Sequence, residues 1–141
     1  AIFMIRRITH AQFLDLANHV LDKIARENGK PIVLCVADEA GDQVFLLQMD
    51  GTPSRGGKLA AGKAYTAAQF GRTSTQIGEL CRNMGVAPSE FLLPNVTGVP
   101  GGAPLFDKNG VSYGAVGVGG RSAAEDQDMA DYCAKYLLEK L

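Results

Sequence analysis

Lys63 and Tyr65 stand in an Ala-rich run without proline, LAAGKAYTAAQF. With Ala60, Ala64, Ala67 and Ala68 on one helical face, Lys63 falls near the border of that face. A lysine partly desolvated there can act as a base or pair with an anionic substrate. Tyr65 can donate to an oxyanion. The structural alternative is a lysine whose stem lies along the apolar face with its ammonium in water. Asp50, directly before Gly51, either caps the following turn or joins a site with Lys63. Asp126 falls in the first turn of the last helix, where the dipole favours an acid by about 0.3–1 kcal/mol. Its functional alternative is a general base at a pocket floor. Gly101-Gly102-Ala103-Pro104 is either a tight lead into a hairpin or a set of free amides forming an oxyanion hole or carboxylate nest. Together these groups suit a cofactor-free isomerase, lyase or hydratase acting on a small carboxylic or carbonyl compound.

The histidines are His10 and His19. Phe13, Leu16, Ala17, Val20, Leu21 and Ile24 recur at helical spacing. At roughly 100° per residue His19 lies about 120° from Phe13, off the core, facing solvent or a partner. His10, in the first turn, is expected to be exposed. Two histidines without clustered carboxylates do not make an all-protein catalytic metal site. Cys35, Cys81 and Cys133 are odd in number and far apart, with no CxxC pair. They read as reduced thiols of a cytoplasmic protein, Cys35 and Cys133 in the core.

The elements that must position these groups follow from caps and periodicity. Thr9–Gln12 is a capping box opening the first helix, and Asn28-Gly29 stops it. Pro31–Val36 and Val44–Met49 read as a hairpin around the turn Glu39–Asp42. Lys58–Phe70 reads as a helix, followed by a weaker one over Gln76–Met84. Residues 85–103 read as an ordered loop. Leu105-Phe106 and Val111–Val118 make a second hairpin, and Ser122–Glu125 is a capping box opening the last helix. Hairpins need no crossover, so the expectation is α+β, with a central antiparallel sheet of two hairpins flanked by helices.

The 141 residues are 46 % hydrophobic and 21 % charged, with a net charge of −1. This is an ordinary soluble globular composition, expected as one domain over 1–141. No segment concentrates Lys or Arg, which argues against nucleic acid as a partner. No run approaches the ~18 apolar residues of a membrane span. The opening AIFMIRRITH lacks the apolar core of a signal peptide.

The segment VSYGAVGVGGRSAAEDQD has the strand, glycine and helix order of a dinucleotide loop. That fingerprint needs a second strand carrying an acid about 20 residues on, and only one helix follows Gly120. Gly117 and Gly119 instead leave one face of a strand bare, open to another backbone, a packed helix or a flat ligand.

Asp38-x-x-Gly41, Met49-Asp50-Gly51, Lys63-Ala64-Tyr65-Thr66-Ala67, Gly101-Gly102-x-Pro104, Gly114-Ala115-x-Gly117-Val118 and Asp126, in this order, resemble the GlcG/HbpS family, which includes the carboxy-terminal domain of PduO-type proteins. The resemblance covers residue 9 to the end. It implies a profilin-like fold, dimers assembling further, up to octamers, and a haem-binding or small-molecule-binding role in a catabolic pathway. It also implies a histidine on the first helix as haem ligand, which points to His19, since neutral imidazole is a common axial ligand. The chain departs from the family at Gly119, where Ser is usual, at Arg72-Thr73-Ser74, and at Arg121.

Overall fold

The structure, a computed structural model, describes residues 7–141. The stretch 1–6, where no signal-peptide core was expected, lies outside the described residues. Helix α1 (His10–Glu27) opens on the expected capping box and closes at Asn28 in the left-handed region. Strands β1 (Val33–Ala37) and β2 (Gln43–Gln48) form the first hairpin. In its turn, Asp38 Oδ1 accepts from the amides of Ala40 and Asp42. Helix α2 (Gly56–Phe70) follows.

Helix α3 (Ser74–Met84) starts earlier than periodicity suggested. A third capping box, Thr73 with Gln76, satisfies its first amides, and Gln76 is the third residue of the helix rather than its start. The loop 85–103 holds one 3-10 turn, Pro88–Phe91. Strand β3 (Gly102–Phe106) is longer than expected at its start, and β4 (Ser112–Gly119) takes in Gly119. Helix α4 (Ala123–Glu139) opens on the Ser122–Glu125 capping box.

The sheet order is β2-β1-β4-β3, antiparallel throughout. The two hairpins meet through β1 and β4, with Val33 opposite Gly119 and Cys35 opposite Gly117. One face carries Leu34, Val36, Leu105, Val116 and Val118 into a core with Leu16, Val20 and Ile24 of α1 and Met129, Cys133 and Leu137 of α4. Each large aliphatic side chain fully buried there contributes about 1.5–3 kcal/mol. The other face sets Val33, Cys35 and Ala37 against Ala60 and Ala64 of α2.

The bare strip on that second face is filled by the helix. A Cβ on Gly117 would stand 2.0 Å from the Ala60 carbonyl oxygen, and one on Gly102 would stand 2.2 Å from that of Lys63. Backbone packs on backbone, which requires Gly on the sheet and Ala on α2. Among the described residues no helix is long and apolar enough to cross a membrane.

Candidate functional site

Close approach of α2 to the sheet determines where Lys63 goes. The helix carries it under the first turn of α4, buried, where its ammonium donates to the Val118 carbonyl at 2.8 Å and to Asp126 Oδ2 at 3.1 Å. Asp126 Oδ1 accepts from the Arg121 amide at 3.0 Å. Burial raises the Asp126 pKa, while the Lys63 charge and hydrogen bond pull it back down. Lys63 therefore does not extend along the border of its helix with a solvated head. It ties α2, β4 and α4 together.

The other proton-transfer candidates do not gather around it. Tyr65 packs over Gly41 in the β1–β2 turn, at the Ala37 end of β1, whereas Lys63 lies near Gly119 at the Val33 end. Asp50 is exposed after β2. Of the two readings of Gly101 and Gly102, a cradle of free amides is not what the structure holds, because both amides are already bonded. Gly101 N donates to Gln127 Oε1 and Gly102 N to the Ser74 hydroxyl. Gln127 Nε2 returns a bond to the Gly102 carbonyl, so α4 clamps the start of β3. Nothing in the spacing of Ser74 and Gln127 marks this pairing beforehand.

His19 is partly buried and not isolated. Helices α1 and α4 run against the same sheet face, and the flank of α1 that carries His19 meets Tyr132 and Tyr136 of α4. Its Nε2 lies 2.6 Å from the Tyr132 hydroxyl. Its ring stacks on Tyr136 with centroids 4.0 Å apart and 13° between planes. The Tyr136 hydroxyl donates to Asp15 Oδ2 at 2.8 Å, and that carboxylate raises the phenol's pKa. Lys23 lies over the Tyr132 ring, 4.6 Å from its centroid, and Lys140 over Tyr136 at 5.3 Å. Neither Tyr132 nor Tyr136 was among the candidates that the sequence singled out. Their signal is spacing: Tyr132 and Tyr136 on one helix, His19 and Lys23 on another, each pair four residues apart. His10 is exposed, as expected.

Two clefts flank this cluster. One, of about 290 Å³, lies between the α1 and α4 flanks and is lined by Lys23, Glu27, Arg121, Asp128 and Tyr132 among others. The second, about 500 Å³, runs along α4 and is lined by Asp131, Tyr132, Lys135, Tyr136 and Glu139. Tyr132 belongs to both, and neither Lys63 nor Asp126 lines either. A third cavity, about 200 Å³, lies at the Ala37 end of β1 among Ile8, Phe13, Val36, Val44 and Tyr113. It contains none of the candidate residues.

Among the described residues no three His, Cys, Asp or Glu side chains are grouped to hold a metal ion. A metal inside a macrocycle asks less of a protein, one or two axial ligands and flat apolar walls. Around His19 the groups available for this are its imidazole and the Tyr132 and Tyr136 rings. The clefts beside them are lined mostly by charged side chains, Lys23, Arg121 and Lys135 with Glu27, Glu125, Asp128, Asp131 and Glu139, and His19 lines neither.

The family model described as haem degrading protein HbpS-like matches residues 8–135. No curated protein matches the sequence. Among solved structures, the Klebsiella pneumoniae protein ORFY superposes with a TM-score of 0.82 at 24 % identity, over 99 % of this chain and 96 % of that one. A double mutant of Streptomyces reticuli HbpS gives 0.81 at 20 % identity, over 96 % and 90 %. A PduOC–haem complex gives 0.77 at 19 % identity, over 96 % of both. At these identities the structures establish a shared α+β fold.

Proposed function

The chain belongs to the HbpS-like family, and on that premise we propose that it binds haem, or a closely related planar tetrapyrrole, at the α1–α4 seam through His19. One observation carries this reading: His19 stacks on Tyr136 and meets the Tyr132 hydroxyl at the α1–α4 seam, beside clefts that these two tyrosines line. Asp15 anchors Tyr136 through its hydroxyl, so the imidazole plane is set before any ligand arrives. Lys23 and Lys135 would face the propionates. Bound haem would supply iron redox chemistry and activation of oxygen species, and this chain's part is to hold and orient the group. The PduOC–haem complex, of the same fold, supports the choice of ligand.

The test is a haem titration of the purified protein followed at the Soret band. A saturable band is expected, and His19→Ala should abolish it. A band that survives the substitution unchanged would remove His19 from the reading. Incubation of the complex with a reductant and oxygen would separate holding haem from degrading it, since degradation bleaches the band with time.

The same reading places the protein in the cytoplasm as a self-associating, ligand-binding member of a catabolic pathway. Three buried free thiols support a reducing compartment. Val44 and Leu46 on edge strand β2, with Leu59 on the adjoining α2, are exposed apolar side chains that support self-association.

A further inference from the structure

We propose that Tyr132 is a latch on the His19 site: its hydroxyl occupies the imidazole nitrogen that a ligand must reach. This rests on His19 being the ligand-bearing residue.

The argument begins with the 2.6 Å contact between His19 Nε2 and the Tyr132 hydroxyl. Where Tyr132 donates, its proton occupies the Nε2 lone pair. Where Nε2 donates, the nitrogen carries a proton and has no lone pair to offer. In both tautomers an electrophilic ligand atom can reach Nε2 only after the tyrosine bond breaks.

The second observation is the position of the ring. Tyr132 lines the cleft between α1 and α4 and also the cleft along α4. Turning it away from His19 would free Nε2 on the side where these clefts lie. Tyr132 is half-buried, and the cation over its ring, Lys23, is itself bridged to Glu27 within the same helix.

Third, the rest of the cluster holds His19 without Tyr132. The imidazole stacks on Tyr136, and Tyr136 is fixed to Asp15. Removing the Tyr132 hydroxyl should leave the ring in place and only unmask its nitrogen. Tyr132 is thus a positioning residue that sets the cost of opening, and ligand binding must offset that cost.

Tyr132→Phe tests this in two independent ways. In the ligand-free protein, carbethoxylation by diethyl pyrocarbonate, read residue by residue by mass spectrometry, should be several-fold faster at His19 in the variant. Exposed His10 serves as the internal reference and should not change. In a stopped-flow haem titration the variant should bind faster and about 2- to 10-fold more tightly, the worth of one net hydrogen bond. Unchanged His19 modification would overturn the latch. So would weaker haem binding by the variant, since Tyr132 would then be holding the ligand rather than excluding it. If His19→Ala keeps the Soret band while the carbethoxylation difference persists, the haem reading fails and the latch stands.

Discussion

The Lys63 ammonium lies 3.1 Å from the Asp126 carboxylate, and each side chain is only 4 % exposed. Removing one charge leaves the other buried without its partner, which costs about 3–5 kcal/mol. Lys63→Met is therefore expected to lower the free energy of urea unfolding by about that amount at neutral pH. Lys63→Met with Asp126→Asn should recover much of the loss, because both charges are gone and Asn can still accept from the Arg121 amide. Strictly additive losses would show that the two residues do not act as a pair.

The same pair predicts a pH dependence. Burial raises the Asp126 pKa above its ordinary 3.8, and Lys63 opposes the rise. Without Lys63 the folded-state value goes higher still. A raised folded-state pKa means that the folded state holds the proton more tightly. Its contribution is fully present below the unfolded value and is lost as pH rises through the folded one. The stability gap between wild type and Lys63→Met should be small near pH 3 and widen towards neutrality. A urea series across that range measures it, and a gap independent of pH would be inconsistent with a charged pair.

Helix α2 touches the sheet backbone at Gly117 but not at Gly119. A Cβ at 117 would meet the Ala60 carbonyl oxygen at 2.0 Å, whereas at 119 the nearest atom is 3.7 Å away. Gly117→Ala should destabilise the fold by at least the ~1–3 kcal/mol typical of overpacking, because helix and strand must separate. Gly119→Ser, which restores the residue usual among resembling sequences, should change stability by less than about 0.5 kcal/mol. Thermal melts of the two variants side by side decide it.

Burial pushes the thiols of Cys35 and Cys133 up to about 12. Thiolate is the reactive form, so at pH 8 both are expected to be inert to Ellman's reagent in the folded protein and to react fully in denaturant. Rapid labelling of either thiol under native conditions would indicate local opening of the sheet core.

Leu46 of β2 and Leu59 of α2 present 36 % and 47 % of their surface to solvent. Replacing Leu46 with Glu should reduce the molar mass measured by light scattering while leaving the circular dichroism spectrum unchanged. An unaltered mass would place any self-association on another face.

Much of this architecture was readable from short stretches of chain. The capping boxes at Thr9 and Ser122, the Asn28 stop, and the turn at Asp38–Asp42 are interactions spanning five residues or fewer. Residue type and spacing therefore determine them before any tertiary contact forms. Helix α3 began earlier than expected because its capping box, Thr73–Gln76, sits in a polar stretch whose apolar period is short. The glycines of β4 were legible as a bare strip, but the occupant of that strip was not. Gly117 is compatible with a ligand or a helix until α2 is seen lying on it.

What the sequence determined by itself was the order of elements, the two hairpins, the burial of Cys35 and Cys133, and the family resemblance that singled out His19. Tertiary structure alone decided the chemistry around those residues. It buried Lys63 against Asp126, bonded the Gly101 and Gly102 amides to Gln127 and Ser74, and set His19 between Tyr132 and Tyr136. The physical reason is distance along the chain. Lys63 and Asp126 are 63 residues apart, and His19 and Tyr132 are 113 apart. A side chain's partner at such separations is chosen by how the helices pack on the sheet, and that packing is a property of the whole core rather than of any segment.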